Sequence, residues 1–202
     1  MTSSSNNLPV DLGEALLSTL RVVTIALQSR SIPYAIMGGL AVGMRGRLRT
    51  TKDVDVLMAP TQFQLPRLLE DLVDAGFPID VRTAITRWTQ DGLMPVDSGQ
   101  SIRVDFMRSI VPAFEHVLHR ASQEQFGDLS LSVVDVEGLL LLKLLAFRPQ
   151  DQLDIRGLLA ANIGDIDLDW VRSEWSQLSG LDPTRTAQFE ALVDEFAKPN
   201  NE

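Results

Sequence analysis

The chain has no cysteine. That single absence removes disulfide frameworks, thiol nucleophiles, thiolate zinc sites and cysteine redox chemistry, and it fits a reducing, cytoplasmic setting. Histidine is scarce too, at two in 202 residues. His116 and His119 stand three apart, with no acid or further histidine placed near them to complete a zinc site. Long apolar runs are missing. The richest, residues 139–147, is interrupted by Lys143 and falls well short of the roughly 20 residues that cross a bilayer. The opening MTSSSNNLPVDL lacks the basic and apolar regions of a signal peptide, so no membrane partner is expected. Positive charge is also in deficit: 18 bases against 27 acids give a net charge of -9. The surface as a whole should therefore repel nucleic acid and anionic lipid, and any phosphate-binding surface must be local.

What is present is ordinary globular composition, with 45% apolar residues, enough for a real core in one domain or a domain with a small appendage. The charge is unevenly distributed. Residues 1–52 hold six bases and two acids, and Arg45, Arg47, Arg49 and Lys52 fall within eight positions. Helical spacing of Leu12, Ala15, Leu16, Leu20, Val23 and Ala26 predicts a helix over residues 11–29, broken by Pro33. Residues 34–37 read as a strand, Gly38 and Gly39 as a turn into a short helix, and the alternation of Asp53, Asp55 and Leu57 with Val54, Val56 and Met58 as a strand over 53–58. A helix follows to Ala75 and ends at Gly76. Short strands are predicted over 77–81, 92–96 and 101–107, with a helix near 83–89 between them. Another helix is predicted over 111–121 and a strand over 129–134. From Asp135 the pattern is helical throughout. The reading is an α/β (α+β) chain, a mixed sheet flanked by helices over residues 1–130 with a helical C-terminal region over 131–202.

The chemistry concentrates between Gly38 and Asp55. Residues two apart on a strand share a face, so Asp53 and Asp55 direct both carboxylates one way while Val54 and Val56 face the core. Parallel carboxylates repel unless a cation joins them, and an all-oxygen donor set selects a hard cation, Mg2+ or Mn2+. A glycine turn at the start of a helix offers free backbone N–H groups and a dipole that favour phosphate, and the basic segment beside it adds charge. A metal-bound nucleoside triphosphate such as ATP would use all three features.

Met37-Gly38-Gly39, thirteen further residues, and then Asp53-Val54-Asp55, with Arg49-x-Thr51-x-Asp53-x-Asp55 overlapping the end, resemble the core motif of the nucleotidyltransferase superfamily typified by DNA polymerase β. The second form is similar to small bacterial, toxin-like branches of the abortive-infection type. Those branches carry a Lys on an apolar helix followed by acids on the next, a pattern matched by Lys143, Asp151 and Asp154. The resemblance implies a nucleotidyltransferase-type fold and metal-dependent transfer of a nucleoside monophosphate from a nucleoside triphosphate to a hydroxyl, with Asp53 and Asp55 holding the metal. It implies nucleotide binding by Gly38, Gly39, Arg49, Thr51 and Lys143. It also implies a third metal-binding, catalytic carboxylate on a neighbouring strand, for which Asp105 is the candidate and Asp80 the rival. The implied acceptor is an RNA end or a protein, with a possible antitoxin-like protein as partner. The alternatives are a small molecule of the antibiotic type, although Leu40 stands where those branches often have an aromatic residue, or a non-catalytic nucleotide-binding module. Lys143 has a competing reading as a solvated lysine reaching the surface, and Asp151 and Asp154 as acids that complement a helix dipole.

Overall fold

The computed structural model describes residues 12–46, 51–179 and 182–197. Its centre is a six-stranded mixed sheet of order β3-β4-β2-β1-β6-β5. The strands are β1 (Tyr34–Met37), β2 (Asp53–Met58), β3 (Leu93–Asp97), β4 (Arg103–Arg108), β5 (Ser122–Phe126) and β6 (Leu129–Val133). β2 runs antiparallel to β1 and parallel to β4, β6 runs parallel to β1, and the hairpins β3/β4 and β5/β6 close the two edges. In the middle of this sheet Val54, Val56, Leu57 and Met58 are fully buried, which is why β2 reads as near-continuous apolar sequence broken only by its two acids.

Helix α1 (Leu12–Ser29) packs against α3 (Gln64–Asp74), and α4 (Val81–Asp91) against β3. The short α2 (Gly38–Arg45) follows β1 directly and packs on β1 and β2. After α5 (Pro112–Arg120) and the β5/β6 hairpin come α6 (Val136–Ala146), α7 (Pro149–Asn162), α8 (Leu168–Ser179) and α9 (Pro183–Ala197). Helix α6 has no polar stripe: Leu139, Leu140, Leu141 and Leu144 are all fully buried. A helix apolar on every side must be surrounded, and α2, α7 and α8 all pack against it. The sheet ends at Val133 and the helical segment starts at Val136.

Two expectations fail here for clear reasons. Residues 77–81 form no strand: Phe77 is tucked into the core, and Asp80 caps α4 by accepting the Thr83 N–H at 2.7 Å. Residues 122–126, which the sequence did not mark, form edge strand β5. Its Ser-Gln-Glu-Gln-Phe run has no apolar face, but the two-residue turn at Gly127 and Asp128 folds it back onto β6.

Candidate active site

Sheet register assembles the site. In the parallel ladder Asp53 lies opposite Arg103 and Asp55 opposite Asp105. Two residues apart on each strand, these four side chains share one face, three acids and one base on adjacent strands. Asp105 thus comes beside Asp53 and Asp55 across a single strand spacing, whereas Asp80 is spent on its helix cap and lies outside this group. The Asp80 carboxyl is held below its ordinary value by the Thr83 backbone N–H it accepts.

Helix α2 opens onto the same place. Its cap residue Met37 supplies no side-chain hydrogen bond, and the Gly39 N–H of its first turn is accepted by Asp55 instead. Gly38 sits in left-handed backbone at φ +66°, and a Cβ there would fall inside the Asp55 carboxylate. Only glycine allows strand, turn and acid to approach so closely. Asp55 has its pKa raised, first by burial and then by the charges of Asp105 and Asp53, while Lys143 and the Gly39 backbone N–H pull the other way. Thr51 braces the start of β2, donating to the Asp53 carbonyl at 3.0 Å and accepting its N–H at 3.3 Å.

These residues line one cleft of about 480 Å³ together with Lys143, Arg148 and Asp151, a size that suits a small ligand. Met107, Phe114, Leu142 and Leu145 form its apolar wall. Lys143 does not reach for the surface. Its side chain is 8% exposed, with Nζ 2.9 Å from Asp151 Oδ1 and 2.8 Å from Asp154 Oδ2. The two acids read as dipole partners are therefore its counter-ions. Burial alone would raise the Asp151 pKa, but bonds from Arg148 and Lys143 outweigh it and hold the carboxyl low.

The basic segment divides. Arg45 is tied to the far hairpin, to Glu124 at 2.6 Å, Ser122 at 2.6 Å and the Val134 carbonyl at 3.2 Å, and is not among the residues lining the cleft. Arg49, expected to bind nucleotide, lies outside the described residues. Sequence reasoning missed Arg148, which sits at the corner between α6 and α7, 73% exposed, with Nε 2.7 Å from Asp151. Its position three residues before Asp151, at a helix start, was the available signal. Sequence distance also hid Glu174 of α8, 2.9 Å from His116 Nδ1; one such pair makes no metal site.

Residues 16–178 match the family described as nucleotidyl transferase of unknown function (DUF2204). The chain belongs to this family. The match spans every described residue of the site from Gly38 to Asp154, so this nucleotidyltransferase carries its glycine turn, carboxylates and Lys143 network within the family's own extent. No curated protein matches it in sequence. Among solved structures it is similar to the lincosamide antibiotic adenylyltransferase LnuA with lincomycin bound, at 16% identity and TM-score 0.49 over 70% of this chain and 94% of that one. It is also similar to ANT(2'')-Ia in complex with adenylyl-2''-tobramycin, at 14% and 0.48 over 90% and 97%. An antigenic nucleotidyltransferase-like protein from Paracoccidioides brasiliensis gives 16% and 0.46 over 87% and 92%. Among the described residues no helix is long and apolar enough to cross a membrane.

Nucleotidyltransferases generally work with divalent metals, and the site can be tested for one on its own chemistry. The donors are all carboxylate oxygens, and Asp55 lies on one face with two other acids, Asp53 and Asp105, a concentration of negative charge that a hard cation would offset. Among the described residues no group of three or more His, Cys, Asp or Glu side chains is placed to hold a metal ion by itself. A Mg2+ ion needs fewer protein ligands than that, since it takes one or two carboxylates and completes its shell with water and substrate phosphates.

Proposed function

We propose that the protein is a Mg2+- or Mn2+-dependent enzyme that moves a nucleoside monophosphate from a nucleoside triphosphate to a hydroxyl on an RNA end or a protein. The observation that carries this reading is the register of β2 and β4, which puts Asp53, Asp55 and Asp105 on one face at the mouth of the cleft where α2 begins. Asp53 and Asp55, with Asp105, would hold the metal, which supplies charge neutralisation for the triphosphate and lowers the pKa of an attacking hydroxyl.

The chain's own groups take the remaining tasks. The start of α2 at Gly38 presents its dipole and its remaining first-turn N–H groups to phosphate oxygens, as helix starts do, while the Gly39 N–H holds Asp55 in place. Arg148 points a largely solvent-exposed guanidinium at the same cleft and adds charge for the phosphates. Lys143, fixed between two carboxylates, offsets the charge of Asp55. The apolar wall of Met107, Phe114, Leu142 and Leu145 excludes water and gives a base or sugar face something to lie against. In the reaction the acceptor oxygen forms a bond to the α-phosphorus, the bond to the β-phosphate oxygen breaks, and pyrophosphate leaves with its electron pair. Asp105 has one oxygen on Arg103 at 2.7 Å and its other bonds nothing among the described residues, leaving it available to take the hydroxyl proton.

A non-catalytic nucleotide-binding module would need the glycine turn without the third acid, and Asp105 standing opposite Asp55 favours the enzyme. The apolar wall supports a second reading of the acceptor, a small organic molecule of the antibiotic type. Incubation with labelled nucleoside triphosphates, Mg2+ and a cell extract, followed by separation of RNA, protein and small molecules, distinguishes the two. Label in RNA or protein is expected; label in small molecules alone transfers the assignment to the second reading, and no label in any fraction contradicts both.

A further inference from the structure

Three acids on adjacent strands need positive charge whether or not a metal is bound, and the described cations near the site are unevenly committed. Lys143 is engaged by Asp151 and Asp154, Arg148 by Asp151, and Arg45 by Glu124. The side chain that bonds the acidic group directly is Arg103, whose Nε lies 2.7 Å from Asp105 Oδ1. Register sets Arg103 opposite Asp53, and it stands two residues from Asp105 on the same strand face. The guanidinium completes the patch that the three carboxylates begin.

The hold is a light one. Arg103 is 55% exposed at its side chain, against 18% for Asp105, so the guanidinium end of the pair is open to water, which weakens the bond and lets a more concentrated charge displace it. The side chain has somewhere to go. Arg103 also lines a second, shallower groove with Arg87, Pro95, Val96 and Asp97, outside the catalytic cleft.

We propose that Arg103 is a displaceable resident cation: it occupies Asp105 in the metal-free protein and gives that carboxylate up when a divalent ion loads onto the acids, turning into the groove it shares with Arg87. This rests on the metal-dependent reading of the site and names a positioning residue within it. The exchange keeps the three carboxylates partly neutralised and on the shared face while the site is empty, at the expense of metal affinity, because the incoming ion must overcome both the bond and the repulsion of a guanidinium. The opposite role, an arginine that orients Asp105 for the metal as outer partners commonly do, predicts the opposite sign.

Mn2+ alone is therefore titrated calorimetrically into wild type, Arg103→Gln, Arg103→Lys, Asp105→Asn and the Arg103→Gln/Asp105→Asn double variant, with unfolding midpoints measured beside each to confirm folding. Arg103→Gln should bind Mn2+ about tenfold more tightly than wild type, since a unit charge at contact distance acts on a divalent ion, and Arg103→Lys should stay near wild type. In the Asp105→Asn background the gain from removing Arg103 should shrink, because the bond being exchanged is already gone. Equal or weaker binding by Arg103→Gln overturns the proposal, as does an undiminished gain in the double variant. Failure of the metal reading itself looks different: wild type then binds no more Mn2+ than an Asp53→Asn/Asp55→Asn variant, and the exchange falls with it.

Discussion

Asp55 is enclosed between a glycine turn and two further acids, and its raised pKa follows first from burial and then from those charges. A carboxyl whose folded pKa exceeds its unfolded value favours folding while protonated. That contribution is lost as pH rises from the unfolded value, about 3.9, through the folded one. At neutral pH the ionised group thus works against the metal-free fold. Asp55→Asn is expected to stabilise the free protein by about 1 kcal/mol while abolishing transfer, and Mn2+ should raise the unfolding midpoint of wild type but not of the variant. A midpoint that drops in Asp55→Asn contradicts this account of the site. Lys143 is the converse case. Lys143→Met strands the buried carboxylates of Asp151 and Asp154, at a cost of about 3–5 kcal/mol, measurable by urea unfolding. Asp151 has a depressed folded pKa, so its contribution is complete above the unfolded value and is lost as pH falls through the folded one. Acid unfolding of Asp151→Asn should lack that component.

At the scale of elements, α2 separates two glycines by their surroundings. Gly38 combines φ +66° with no room for a Cβ, whereas Gly43 meets nothing within 4 Å of an added Cβ. Gly38→Ala should lower the unfolding midpoint and eliminate transfer together, while Gly43→Ala, in the helix body, should stabilise by about 0.5–1 kcal/mol and leave transfer intact. Helix α4 supplies the contrast between the rival acids. Asp80→Ala removes a cap worth about 1 kcal/mol without touching transfer, and Asp105→Asn should do the reverse. A kinetic defect in Asp80→Ala would contradict the assignment made from register. β2 and the glycine turn were legible because alternation and turn chemistry are local signals. β5 was not, because an edge strand with polar residues on both faces has no period to detect; its existence is decided by the hairpin turn and by β6. Residues 77–81 misled for the related reason that a short apolar run feeding the core looks the same in sequence whether it pairs or not.

For the molecule as a whole, a net charge of -9 leaves the positive charge needed for a triphosphate to a few placed side chains. The crowding of Arg45, Arg47, Arg49 and Lys52 in sequence did not show which would face the cleft: Arg45 turns to Glu124, 79 positions away. Arg103 and Arg148 reach the acids through strand register and a helix corner. Such pairings depend on tertiary placement, so they are readable only once the sheet order is known. Parallel incubations with α-labelled and γ-labelled nucleoside triphosphate show whether this cleft transfers the nucleotidyl group. With Mg2+ and extract, wild type should pass the α-label to an acceptor and release the γ-label as pyrophosphate, and neither Asp53→Asn nor Asp55→Asn should pass any. Transfer of the γ-label to the acceptor, or undiminished α-transfer by both variants, would contradict the account.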